Sequence, residues 1–435
     1  MAHIGDMNRK PSLLVVFLTV FIDLIGFGIV VPLVPIYSRH YGANGFVIGA
    51  IFASFSAMQF VFSPVWGRLS DRHGRRPILL ISTASAAVSY LLFAIGSGFE
   101  NHTAALWALL ISRVCAGICG GNITVAQAYI ADITPPENRS KRMALIGVAF
   151  GLGFVIGPAL GGITLHFFGA TGPGWTAAAL CAANFILAFC ILAESLKPES
   201  SQATRRPHFA QWGHTLSQPK IGLLILIFFL ATFAFSCFET TLALLVNDNF
   251  NLGLTVDETK PGVTVTSLFV FCGIIGVFIQ GGAIGRLVKM FGEPKLISLS
   301  LFLTGISLIL LPFIKGDGQL KWLAVLHATD WPWIKMLLAL ALLAVGTALT
   351  RPPLFGLLSN LAPPNEQGAT IGVAQSAGSL ARILGPLFAA TLYTHVASLP
   401  YVTCGVISIL AGVLAVGRLG GGAGAVDRKA PEAAN

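Results

Sequence analysis

Continuous apolar runs of about twenty residues recur twelve times along this chain, and that recurrence dictates the solvent in which it folds. A helix of that length spans the hydrocarbon core of a bilayer, about 30 Å thick. The runs fall near 13–36, 46–66, 77–97, 104–133, 142–166, 174–194, 219–246, 263–285, 295–314, 336–360, 367–394 and 399–417. They are continuous and not alternating, which favours membrane helices over a barrel. Composition agrees: 55% of the 435 residues are hydrophobic and the mean hydropathy is +0.79, more apolar surface than a soluble globule could hide. The first run is too long for a signal-peptide core and lacks a small-residue cleavage site, so it is expected to remain as a spanning helix.

A net charge of +9 raises the question of nucleic acid, but the basic residues sit mostly in short loops between the runs, as the positive-inside rule requires. Nineteen Lys and Arg fall on the side that carries both termini, and five (Arg39, Lys260, Lys315, Lys321 and Lys335) on the other. Both ends are therefore expected in the cytoplasm, and no nucleic-acid partner is expected. The seven cysteines all lie inside apolar runs without metal or disulfide spacing and read as small packing residues, so no metal is expected. Asn101-His102-Thr103 forms a weak glycosylation sequon on the outer side.

The chain also repeats itself. GRLSDRHG at Gly67 has a degenerate echo, GRLVKMFG, at Gly285. Pro135-Pro136 stands 22 residues before Gly157-Pro158, as Pro363-Pro364 does before Gly385-Pro386. Duplicated six-helix halves are a hallmark of alternating-access transporters. The expected fold is an all-α membrane protein with two pseudo-symmetric six-helix bundles, at 1–194 and 219–418. A linker at 195–218 without apolar periodicity joins them, and the tail at 419–435 is expected to be disordered.

Gly67 to Pro77 packs four arginines, an aspartate and a histidine into eleven residues, in a chain of which 10% is charged. This stretch closely resembles the loop motif between helices 2 and 3 of the major facilitator superfamily. Gly147, Gly151, Gly157, Pro158, Gly161 and Gly162 resemble the antiporter motif of its fifth helix. FIDLIGFGIVVPLVP with Asp23 and Pro32, and Arg113 followed by AGICGG, look like motifs of helices 1 and 4. The resemblance covers nearly the whole chain. It points to the twelve-helix drug:proton antiporters of the tetracycline-efflux type, whose major-facilitator fold matches the expected one.

The resemblance implies roles that the physics supports. Gly67 and Gly74 permit tight turns. Asp71 can meet the positive end of a neighbouring helix dipole, which the family suggests is the eleventh helix near Gln367. Arg75 can pair with Asp132, and Arg72 and Arg76 anchor the loop. Such pairs are expected to latch the two halves while the cytoplasmic end is shut. Glycines spaced by four on helix 5 allow close helix approach.

Ionisable groups inside spans are costly, about 2.5–3.5 kcal/mol each on insertion scales, and so mark function. They are Asp23, Arg113, Glu239, Arg351 and Arg382. A carboxyl in an apolar setting costs least while it holds its proton, which suits Asp23 as a proton carrier. A reversible contact with Arg113 would link protonation to conformation. Glu239, at the matching place in the second half, is a second proton or substrate group. Arg351, before Pro352-Pro353, is expected at a helix break, and Arg382 next to carbonyls or carboxylates. Gln59, Asn122, Gln127, Gln280 and Gln375, with Arg351 and Arg382, are candidate cavity residues.

No Walker A sequence is present, so the proton gradient, with no cofactor, is the expected energy source. The function expected is proton-coupled export of small amphipathic compounds, tetracycline-like or multidrug, by a monomer in a bacterial inner membrane. The alternative is an uptake permease, facilitator or proton symporter, for a sugar, organic acid or peptide. An enzyme is not expected.

Overall fold

The computed structural model describes residues 11–135, 139–196, 208–254, 257–322, 325, 327, 329–362 and 367–419, apart from the side chains of 139–141, 143, 144, 208–211 and 367–369. Among the described residues every regular element is helical. In chain order they are α1 (Leu13–Val30), α2 (Val34–His40), α3 (Gly45–His73), α4 (Arg75–Gly96), α5 (His102–Cys119), α6 (Asn122–Asp132), α7 (Arg139–Phe168) and α8 (Gly172–Ile191). There follow α9 (His208–Leu216), α10 (Pro219–Phe250), α11 (Thr259–Phe278), a π-segment at Ile279–Ala283, α12 (Ile284–Phe291), α13 (Glu293–Leu310), α14 (Trp331–Leu361), α15 (Gln367–His395) and α16 (Leu399–Leu419).

Eleven helical stretches among the described residues are long and apolar enough to cross a membrane. The remaining run expected from the sequence, at 367–394, is α15, 29 residues long and packed between α3 and α10. Several runs are not single helices. The first bends at 31–33, where Pro32 has no N–H for the helix ladder. The fourth breaks at Gly120-Gly121, between α5 and α6. The eighth extends to Phe291 through the π-segment, a feature frequent at functional sites.

The loop expected at 67–76 contracts to one residue. α3 continues through His73, and α4 begins at Arg75. Between them Gly74 adopts φ 100°, ψ 158°, a region open in practice to glycine alone. The linker holds a short helix, α9, whose Trp212 packs on the core of α10; the expected tail begins at Leu419, the last described residue. The break expected at Pro352-Pro353 is absent, since α14 runs unbroken from Trp331 to Leu361. Asn101, the sequon asparagine, caps α5 by accepting the Ala104 N–H at 3.1 Å.

Three apolar cores divide the molecule. At the end opposite Gly74, one continuous core draws on both halves of the chain, including Tyr37, Ile48, Phe93, Phe250, Leu268, Trp333 and Tyr393. At the Gly74 end, hereafter the basic end, the cores are separate. One comprises residues of the first six spans, such as Leu79, Tyr129 and Ile146; the other comprises residues of the last six, such as Leu224, Leu301 and Ala374. The halves thus share one core at one end, hereafter the joined end, and keep separate cores at the other.

Candidate functional site

The basic end is organised by Arg75, which is only 7% exposed. Its Nη1 donates to Asp71 Oδ1 at 2.6 Å and to Ser70 Oγ at 2.7 Å, and its Nε donates to Asp132 Oδ2 at 3.0 Å. Ser195 Oγ donates to the same Asp132 oxygen at 3.1 Å. These charge-assisted bonds tie α3, α4 and α6 together. Among the described residues, the partners of Arg75 all lie in the first half of the chain. These pairs brace the first half. The position expected opposite Asp71 lies at 363–366 and the first side chains of α15, outside what the structure describes.

Glu194 completes this network and was not singled out from the sequence. Its Oε1 accepts from Arg75 N (2.8 Å), Ser195 N (2.9 Å) and Leu196 N (3.0 Å), and its Oε2 accepts from Arg76 N (3.1 Å). The carboxylate satisfies the first amides of α4 and complements its dipole. A Cβ on Gly74 would strike this carboxylate, so glycine is required there twice over. The Arg76 guanidinium donates to Phe189 O at 3.1 Å. Gly67 lies on α3 beside Thr124, while Arg72 is exposed in the last turn of α3.

Deeper in the first half, Asp23 sits on α1, hydrogen-bonded by the Asn122 side-chain amide and by the Cys181 thiol at 3.7 Å. Among the described residues it has no ion-pair partner. Arg113 is 2% exposed, with its guanidinium 5.6 Å from the Tyr90 ring centroid and 5.7 Å from that of Phe93. Among the described residues its Nε and Nη2 have no hydrogen-bond partner. Aromatic faces, not a carboxylate, shelter this cation. Asp23 and Arg113 are thus not in direct contact, and both interact electrostatically with Tyr90. Tyr90 and Cys181 were missed in the sequence, where an isolated tyrosine and a cysteine in apolar runs look like packing residues.

The break between α5 and α6 exposes three carbonyls, each of which meets a donor. Trp66 Nε1 bonds Ile118 O, the Ser82 hydroxyl bonds Cys119 O, and Gln59 Nε2 bonds Gly120 O at 3.2 Å. Irregular backbone at membrane depth survives only when satisfied in this way. The break places Asn122 at the start of α6, facing Asp23. Gln127 is half-buried one turn and a half further on.

On α7 the glycines divide by role. A Cβ at Gly157 would lie 2.6 Å from Gly28 Cα, and one at Gly161 would lie 2.9 Å from Ile29 O, so α1 and α7 cross in backbone contact. Gly162 faces Thr266 of α11 across the halves, whereas Gly147 has nothing within 4 Å and Gly151 only Val277, at 3.9 Å. Pro158 is accommodated without breaking the helix.

In the second half, Glu239 is buried, and Arg382 is its electrostatic neighbour. Arg351 is exposed, with its guanidinium 5.8 and 5.7 Å from the rings of Phe228 and Phe355 and its Nη2 3.4 Å from Gln375 Oε1. Gln280 is exposed within the π-segment.

At the joined end, Arg39 pairs with Asp248 at 3.7 Å, and the Tyr393 hydroxyl donates to Asp248 at 2.9 Å. His40 lies 3.5 Å from Glu258 and 3.2 Å from Leu254 O. Both contacts cross from the first half of the chain to the second. Burial, with help from the Glu258 charge, pushes the nearby Tyr41 phenol up to about 12, so it stays a neutral donor to Ser97 O at 2.7 Å.

Membrane-length helices, glycine-lined crossings and sheltered charges at mid-depth define a polytopic helical membrane transporter. The chain belongs to the Major Facilitator Superfamily, whose family model matches residues 16–329 and 283–434. It is similar to the tetracycline resistance protein, class E, of Escherichia coli, with 32% identity over 396 residues covering 89% of each chain. It is also similar to multidrug resistance protein 2 of Bacillus subtilis (strain 168), with 28% identity over 411 residues covering 93% of this chain and 94% of the relative. Among solved structures, the human organic anion transporter MFSD10 (TETRAN) superposes with a TM-score of 0.64 at 26% identity, over 93% of this chain and 98% of that one. The protein is an integral multi-pass membrane transporter and not an enzyme.

Proposed function

We propose that the protein exports small amphipathic organic compounds in exchange for protons, by alternating access, from a bacterial cytoplasm across the inner membrane. The observation that carries this reading is Asp23, a mid-membrane carboxyl held by an amide and a thiol, with no cation paired to it among the described residues. An unpaired charge at that depth is costly, so taking up a proton relieves it and losing one demands a rearrangement. Tyr90 and Arg113 are the polar groups placed to respond. Proton and substrate then favour different states of one protein, and a proton gradient drives the substrate outward. Two relatives are named for tetracycline resistance and multidrug resistance, which favours export over uptake.

The test uses everted membrane vesicles with a preset pH gradient. Tetracycline or a lipophilic cation is expected to collapse the gradient, and Asp23→Asn to abolish that response. Accumulation of a sugar or organic acid with no proton movement would overturn the reading.

A further inference from the structure

Deep within the spans stand three arginines, Arg113, Arg351 and Arg382, and two acids, Asp23 and Glu239. The membrane interior therefore carries more fixed positive than negative charge when both acids are ionised. The three cations are not equivalent. Arg113 is buried against Tyr90 and Phe93, and Arg382 has Glu239 as its electrostatic neighbour. Arg351 is exposed and has no ion-pair partner among the described residues.

An exposed guanidinium two-thirds of the way along a membrane helix must face water, since lipid would not tolerate it. Phe228 and Phe355 pack edge-to-face, 5.0 Å apart, beside the guanidinium, and Gln375 takes one of its five N–H donors. The guanidinium is thus held in place with donors to spare, against one edge-to-face aromatic pair. A fork of N–H donors beside an aromatic pair matches a carboxylate or sulfonate attached to an apolar ring system.

We propose that Arg351, with Gln375, Phe228 and Phe355, forms a binding site for the anionic group of an amphipathic organic substrate. The proposal rests on the reading of the protein as a carrier of small organic compounds; it concerns the ligand's charge, not the direction of transport or its coupling to protons.

The test is equilibrium binding to the purified full-length protein, followed by fluorescence anisotropy. The probes are fluorescein, an anion, and rhodamine 123, a cation on the same xanthene frame. Arg351→Gln is expected to weaken fluorescein binding at least tenfold while rhodamine 123 changes less than twofold, and Arg351→Lys to fall between wild type and Arg351→Gln. Should Arg351→Gln fail to fold, Gln375→Leu and Arg351→Lys carry the same comparison. The proposal is overturned if wild type does not bind fluorescein, if Arg351→Gln leaves fluorescein binding unchanged, or if a folded variant loses both dyes equally. Charge-selective loss without proton exchange in vesicles would keep the site and remove the coupling.

Discussion

Gly74 and Gly292, 218 residues apart, adopt the same backbone conformation: φ 100°, ψ 158° in the first and φ 78°, ψ 156° in the second. Each ends a helix that starts another within one residue. The degenerate repeat GRLSDRHG and GRLVKMFG thus preserves a hinge geometry after most of its side chains have diverged.

The two glycines should not be equally intolerant of a side chain. Alanine in this backbone region costs about 1–3 kcal/mol at either site. At Gly74 the new methyl group also meets the Glu194 carboxylate, whereas at Gly292 its nearest neighbour is Pro294 Cδ at 4.0 Å. Gly74→Ala should lower the thermal midpoint of the purified protein clearly more than Gly292→Ala. Equal losses would mean that the clash with Glu194 is relieved without cost.

Glu194→Ala should destabilise by about 1–2 kcal/mol, because four backbone amides lose their acceptor. Glu194→Gln retains an oxygen acceptor but not the charge, and should recover part of that loss. Thermal unfolding followed by tryptophan fluorescence separates the three proteins. A Glu194→Ala variant as stable as wild type would show that water satisfies the α4 amides equally well.

Gly157→Val should prevent assembly, since α1 and α7 touch there through their backbones. Gly147→Val, in open space on the same helix, should be produced and inserted at close to wild-type levels. Expression and monodispersity in detergent provide the readout, and the prediction fails if both variants behave alike.

Asp248→Asn should loosen the joined end. It removes the charge that faces Arg39 and weakens the acceptor of the Tyr393 hydroxyl, together on the order of 1 kcal/mol, or about fivefold in a two-state population. Spin labels at Phe46 and Trp331, exposed residues near that end in the two halves, would report a larger share of long distances. An unchanged distance distribution would show that apolar packing alone holds the end closed.

Much of the architecture is legible in the sequence, because the cost of a polar backbone in lipid forces long uninterrupted apolar helices. The positions of Asp23 and Arg113 stand out for the same reason, as charges where charges are dear. Their surroundings are less visible. Tyr90 and Cys181 gain their significance from neighbours on α1 and α5, 67 and 158 residues from the groups they serve in the case of Tyr90 with Asp23 and Cys181 with Asp23. Glu194 lies 119 residues from the amide it caps, on the edge of a polar stretch where a glutamate attracts no notice. The break at Gly120-Gly121 is masked by continued apolarity, and what permits it is three donors on other helices. The π-segment leaves no local signature, since the apolar residues continue through it.

The arrangement of the apolar cores has a mechanical consequence. Where each half keeps its own core, the halves can swing together or apart as solid pieces and no oily interior is torn. Where one core serves both, separation exposes side chains as large as Trp333 and Phe250. Opening the mouth opposite Gly74 is therefore the motion that must lay apolar surface bare, and closing it is the motion that buries that surface again.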